Sequence, residues 1–123
     1  MIRRFLALSA VFALAAAPLA AQAHPAGHGD EMTLTGSVVD LNCFVANGAS
    51  GASHKSCADA CAKAGVQLGI LSNGTIYVPV SAKPGDPTNP RLLQFTEGQV
   101  KVTGTHRMVN GLHTIEIKTV TAG

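Results

Sequence analysis

The last two apolar segments of the chain constrain its fold most strongly. Gln99–Met108 and Leu112–Thr121 flank Asn110-Gly111, and an Asn-Gly pair supplies the positive φ angles of a tight hairpin turn. A two-residue turn here pairs residues whose numbers sum to 221. The resulting face carries Val100, Val102, Gly104, His106 and Met108, opposite Thr121, Thr119, Ile117, Ile115 and His113. This face is mostly apolar and the other mostly polar, so the sequence predicts a half-buried antiparallel hairpin.

Three further strands and one short helix are predicted upstream. The strands are Met32–Phe44, Val66–Leu71 and Thr75–Val80, the last two joined by a turn at Asn73-Gly74. Ser56–Ala64 contains no β-branched residue, has Ser56 as a candidate N-cap and is followed by Gly65, which ends helices readily. Loops are predicted at Asn47–Ser53 and Ser81–Pro90.

These elements indicate a mainly β fold in a single domain. A chain of 123 residues has room for one small core. Five short strands are too few for two packed sheets but sufficient to close a barrel. We therefore predict a small five-stranded OB-like barrel in which the helix follows the first strand. An open meander sheet covered by the helix is the alternative.

The first 23 residues have the pattern of a secretory signal peptide. Arg3 and Arg4 precede an apolar run that ends at Ala21-Gln22-Ala23, and small residues at these last positions suit signal peptidase. Cleavage after Ala23 leaves a flexible tail at 24–31 and a barrel domain at 32–123. The expected location is periplasmic or secreted, with no membrane anchor after cleavage.

The charge balance argues against a nucleic-acid partner. Nine basic and seven acidic residues give the whole chain a net charge of +2. Removal of Arg3 and Arg4 leaves seven of each. A chain near neutrality lacks the attraction to phosphates that nucleic-acid binding uses.

Three cysteines and one histidine form the main candidate site. Cys57 and Cys61 are four residues apart, so a helix places their thiols on one face. His54 precedes them by one turn, and Cys43 ends the predicted first strand. Three thiolates and an imidazole are a tetrahedral ligand set for zinc, and the sulfurs alone satisfy Cu(I). The sequence thus predicts a Cys3His site for copper or zinc.

The same cysteines allow two other interpretations. A disulfide from Cys43 to Cys57 or Cys61 would close a loop and stabilise an exported domain by about 3 kcal/mol. The protein would then be a stapled binding module for a small ligand or a protein partner. A redox pair of Cys57 and Cys61 is less favourable, because four-residue spacing on a helix strains the bridge. The sequence contains no recognisable oxyanion loop, and its acidic residues are scattered singly along the chain. Both observations argue against a hydrolytic enzyme.

Histidine and methionine provide a second candidate set of metal ligands. The hairpin register places His106, Met108 and His113 together near its turn. Cleavage after Ala23 makes His24 the new N-terminus, where its amine and ring can chelate Cu(II), with His28 four residues on. These residues fit copper chemistry, but a frayed tail and a closed barrel mouth are the more common explanations of such histidines.

A longer motif runs through the middle of the chain. It reads Gly36-x3-Asp40-x2-Cys43-Phe44, then His54-Lys55-x-Cys57-Ala58-x2-Cys61-Ala62-Lys63, then Gly74-x-Ile76-Tyr77-Val78. The motif resembles a family of small exported bacterial proteins without an assigned function. The resemblance implies that the cysteines and His54 form one unit, and it implies no activity. The Cys-x3-Cys spacing is also locally similar to Sco-type copper chaperones, although Ala62 stands where those proteins have proline.

Together these patterns predict an exported protein that captures copper or zinc and transfers it. The partner expected is a periplasmic protein that accepts or donates the metal.

Overall fold

The computed structural model describes residues 29–123, which form five strands and two short helices. The strands are β1 (Asp30–Asp40), β2 (Leu68–Ser72), β3 (Thr75–Val80), β4 (Gln99–Val109) and β5 (Leu112–Ala122). The helices are α1 (Leu41–Asn47) and α2 (Lys55–Lys63), with 3-10 turns at Ala52–His54, Asn89–Arg91 and Leu93–Phe95. The predicted signal peptide lies outside the described residues, as do His24 and His28. No helix within 29–123 has the length and hydropathy of a membrane span.

The strands close a barrel in the order β1-β2-β3-β5-β4. β1 is antiparallel to both β2 and β4, and β3 completes the wall by parallel pairing with β5. This confirms the predicted five-stranded OB-like barrel. Closure and the parallel β3–β5 pair rule out the open meander sheet, which has only antiparallel neighbours.

The barrel interior forms the hydrophobic core. Its fully buried members are Val38, Leu68, Ile70, Leu92, Val100, Val102 and Ile115. α2 packs against β1, and its small residues Ala58 and Ala62 are buried. Because alanine side chains are small, the backbones of α2 and β1 can approach closely. Cys57 and Cys61 each precede one of these alanines, so they are held near the end of β1.

The C-terminal hairpin has the predicted turn and part of the predicted register. Asn110 and Gly111 have φ angles of 50° and 84°, and Met108 pairs with His113. A β-bulge between Thr103 and Gly104 then shifts the pairing by one residue. The predicted pair of Val102 with Thr119 is therefore wrong.

Packing explains the bulge. Val102 pairs with Val120, which packs against the core, whereas Thr119 is exposed. The extra residue in β5 thus places an apolar side chain where the straight register would put a hydroxyl.

The predicted first strand differs from the structure at both ends. β1 begins at Asp30, inside the segment expected to be a tail, because Asp30 and Glu31 pair with β4. The strand ends at Asp40, and the chain becomes helical at Leu41. Asp40 accepts a hydrogen bond from the Cys43 N–H (3.0 Å), and Gly48 ends the helix with φ 72°. Cys43 therefore lies on a capped helix and not at the end of a strand.

α2 begins one residue before its predicted start. His54 occupies the N-cap position without a side-chain cap, so Ser56 is not the N-cap. The 3-10 turn at Ala52–His54 leads directly into α2, and this continuity fixes His54 relative to the helix.

Candidate metal site

α1, the 3-10 turn and α2 bring three predicted ligands together. One donor atom each from Cys43, His54 and Cys57 lies within 4.8 Å of the other two. With zinc–sulfur bonds of about 2.3 Å, two thiolates in a tetrahedral site lie about 3.8 Å apart. Small side-chain adjustments therefore suffice to enclose an ion. Cys57 is exposed, whereas Cys43 and His54 are half-buried, so the site is reachable from solvent.

Cys61 belongs to a second group of donors. Its thiol, the Cys43 thiol and an Asp40 carboxylate oxygen lie within 4.8 Å of one another. Within residues 29–123, none of the candidate donor groups contains both His54 and Cys61. The four predicted ligands thus occupy two overlapping groups that share Cys43.

A buried glutamate orients the His54 ring. Glu97 Oε1 lies 2.9 Å from His54 Nδ1, and the Glu97 side chain is only 1% exposed. The other oxygen, Oε2, accepts a hydrogen bond from the Gly51 N–H (2.6 Å). A proton on Nδ1 satisfies this carboxylate and leaves Nε2 as the nitrogen for a metal. A carboxylate behind the imidazole is the usual arrangement around metal-bound histidine.

A second buried carboxylate lies beneath the thiols. Asp40 is completely buried, and its Oδ1 accepts the Cys43 N–H while its Oδ2 has no hydrogen-bond partner. The nearby Asp40 carboxylate, with burial as the next cause, raises the pKa of the Cys61 thiol to about 11. Burial, followed by the charge of Asp40, also raises the pKa of Cys43. Both thiols are therefore protonated at neutral pH until a cation replaces their protons.

The cysteines of the described residues are free thiols. No disulfide joins Cys43, Cys57 or Cys61. The structure thus has three free cysteines beside a histidine and a carboxylate and no disulfide within residues 29–123.

The second candidate ligand set is occupied by internal contacts. His106 Nε2 lies 3.0 Å from His113 Nδ1, and the two rings stack at 5.1 Å. Tyr77 contacts both rings edge-on at 5.6 and 5.3 Å. Met108 pairs with His113 in the register but is 59% exposed. The three residues are neighbours as predicted, but the histidines use one nitrogen each to bond to one another.

Sequence reasoning missed the two carboxylates of the site. Asp40 could have been found, because an aspartate three residues before Cys43 has the spacing of an N-cap. Glu97 gave no such signal, since 43 residues separate it from His54.

Comparison of the chain with protein-family models, curated proteins and solved structures finds no match. The family resemblance stays a prediction.

Proposed function

We propose that the protein is an exported metal-binding protein that captures Cu(I) or Zn(II) and passes the ion to a periplasmic partner. The observation that carries the proposal is the His54 ring, held by the buried Glu97 carboxylate with its donor atom beside the thiols of Cys43 and Cys57. The half-buried His54 has a 1% exposed carboxylate behind it, which is one of the arrangements that orient a metal-bound histidine.

The donor chemistry selects soft and borderline cations. Two thiolates and an imidazole complete a three-coordinate Cu(I) site, and zinc adds a fourth ligand. Cys61, which shares the neighbourhood of Cys43, is the predicted third thiolate. Because the ligands bind as thiolates, uptake releases protons and the affinity rises with pH.

Transfer begins at the exposed thiol. Cys57 lies in the first turn of α2 and is exposed, whereas Cys43 and His54 are half-buried. A ligand from the partner can replace Cys57 while the other two donors still hold the ion. Stepwise exchange of this kind moves a metal without releasing it into solution.

Anaerobic titration of the reduced protein with Cu(I), and separately with Zn(II), tests the proposal. We expect stoichiometric binding with an affinity reduced at least tenfold, about 1.4 kcal/mol, in His54→Gln and Cys57→Ser. His113→Gln is the matched control, because His113 lies on the C-terminal hairpin and bonds to His106. Its affinity should equal that of the wild type.

Absence of binding, or equal affinity in all four proteins, contradicts the proposal and leaves the binding-module interpretation.

Export is tested separately by the mass of the protein recovered from the periplasm. The mass should correspond to a chain that begins at His24.

A further inference from the structure

We infer that Asp40, Cys43 and Cys61 form a second cation position, which holds a divalent ion such as Zn(II) next to the first. The inference rests on the proposed function, because Cys43 is a ligand of both positions. It extends that function from one captured ion to a pair of ions bridged by the Cys43 thiolate.

The unpartnered oxygen of Asp40 is the main observation. Asp40 is 0% exposed. Among the buried side-chain nitrogen and oxygen atoms of residues 29–123, its Oδ2 is the one without a hydrogen-bond partner. Leaving a carboxylate oxygen buried and unpaired is unfavourable. The cap to Cys43 already employs Oδ1, and a cation bound by the Asp40 carboxylate and the two thiolates would give Oδ2 the partner that it lacks.

The donor set distinguishes the two positions chemically. Two thiolates with a carboxylate oxygen suit zinc, which accepts sulfur, nitrogen and oxygen ligands. Cu(I) prefers sulfur and imidazole and gains little from a carboxylate. The position at Asp40 is therefore specific for a divalent ion, even where the position at His54 accepts Cu(I).

The charges of the two groups match two divalent ions. With their thiols deprotonated, Cys43, Cys57 and Cys61 contribute three negative charges, and Asp40 contributes the fourth. Glu97 belongs to neither donor group, and hydrogen bonds from His54 and the Gly51 N–H stabilise its carboxylate separately. One divalent ion leaves two of the four charges uncompensated unless thiols keep their protons, but two ions neutralise all four, as a half-buried site requires.

Zn(II) stoichiometry of the anaerobic, reduced protein tests the second position. We expect two ions in the wild type and one in Asp40→Asn, whose amide oxygen can still cap α1 but is a poor zinc ligand. Cys61→Ser should also bind one ion, and Cys43→Ser should lose both because it removes the shared ligand. Asp86→Asn is the control, since it makes the same chemical change in an exposed loop and should retain two ions.

The possible results separate this inference from the proposed function. One ion in the wild type with unchanged affinity in Asp40→Asn means a single Cys3His site and overturns the inference alone. Two ions in Asp40→Asn also overturn it, because Asp40 is then not a ligand. No ion in any variant contradicts the proposed function itself. Circular dichroism of Asp40→Asn and Cys61→Ser shows that a lost ion is not the result of a lost fold.

Discussion

Glu97 is held in a backbone conformation that few side-chain-bearing residues adopt. Its φ angle is 58°, in the left-handed region that favours glycine. Its N–H donates to the Val38 carbonyl (2.8 Å), and its carboxylate bonds to Gly51 and His54. These contacts outweigh the backbone strain. A glycine would fit this conformation better but would leave His54 without its carboxylate partner.

The substitution Glu97→Gln tests the orienting role of this residue. A neutral amide weakens the hold on Nδ1 of His54, so we expect metal affinity to fall about 10- to 100-fold. Competition with a chromophoric chelator measures the change. Glu31→Gln is the matched control, because Glu31 is 63% exposed, pairs with Lys118 and lies at the start of β1, whereas Asp40 ends that strand. Equal affinities in the two variants would show that Glu97 only fills space.

At the scale of elements, α1 shows where sequence reasoning stops. Val38, Val39, Leu41 and Phe44 continue the apolar pattern of a strand, and a strand was the natural prediction. The structure forms a helix there because Asp40 caps its first turn and Gly48 its last. Both caps act locally and are visible in the sequence, but they compete with a periodicity that points the other way.

Unlike the caps of α1, the β-bulge in the last hairpin could not be predicted from the local sequence. The turn at Asn110-Gly111 and the pairs next to it followed from the sequence, because turn geometry fixes the register nearby. Farther along, either Thr119 or Val120 satisfies the alternation of the strand. Packing of Val120 against the core decides between them, and no local pattern carries that information.

Gly104 borders this bulge, and its substitution by alanine should be strongly destabilising. A Cβ at this position would collide with the backbone carbonyl of Glu116, which cannot move without disturbing β5. We expect Gly104→Ala to lower the free energy of unfolding by about 1–3 kcal/mol. Urea denaturation measures this loss. Lys101→Ala on the exposed face of the same strand should change it by no more than about 0.5 kcal/mol.

At the scale of the whole molecule, the site depends on closure of the barrel. Its donors come from the end of β1, from α1, from the 3-10 turn and from α2, and Glu97, which orients His54, lies just before β4. The sequence identified Cys43, His54, Cys57 and Cys61 by residue type and spacing. It did not show that Asp40 and Glu97 lie beneath them, because that proximity exists only once β1 pairs with both of its neighbours.

A metal that joins these segments should stabilise the entire domain. Zn(II) that binds only the folded state at 100 times its dissociation constant adds about 2.7 kcal/mol. For a domain of this size that corresponds to a rise in Tm on the order of 10 °C. Calorimetry of the reduced protein with Zn(II), and again after EDTA, measures the effect. A Tm that is the same in both states, or a full shift in Cys57→Ser, would contradict it.

Val38 links the two buried carboxylates through the wall of the barrel. Its N–H donates to the Gly98 carbonyl (2.9 Å) and its carbonyl accepts the Glu97 N–H, while Asp40, two residues on, pairs with Leu68 of β2. The spacing between these anchors is therefore fixed by backbone hydrogen bonds before any cation arrives. The three thiols lie on α1 and α2, so a cation with longer bonds to sulfur must move these helices away from the two fixed carboxylates, and the fixed anchors thereby discriminate by ionic radius.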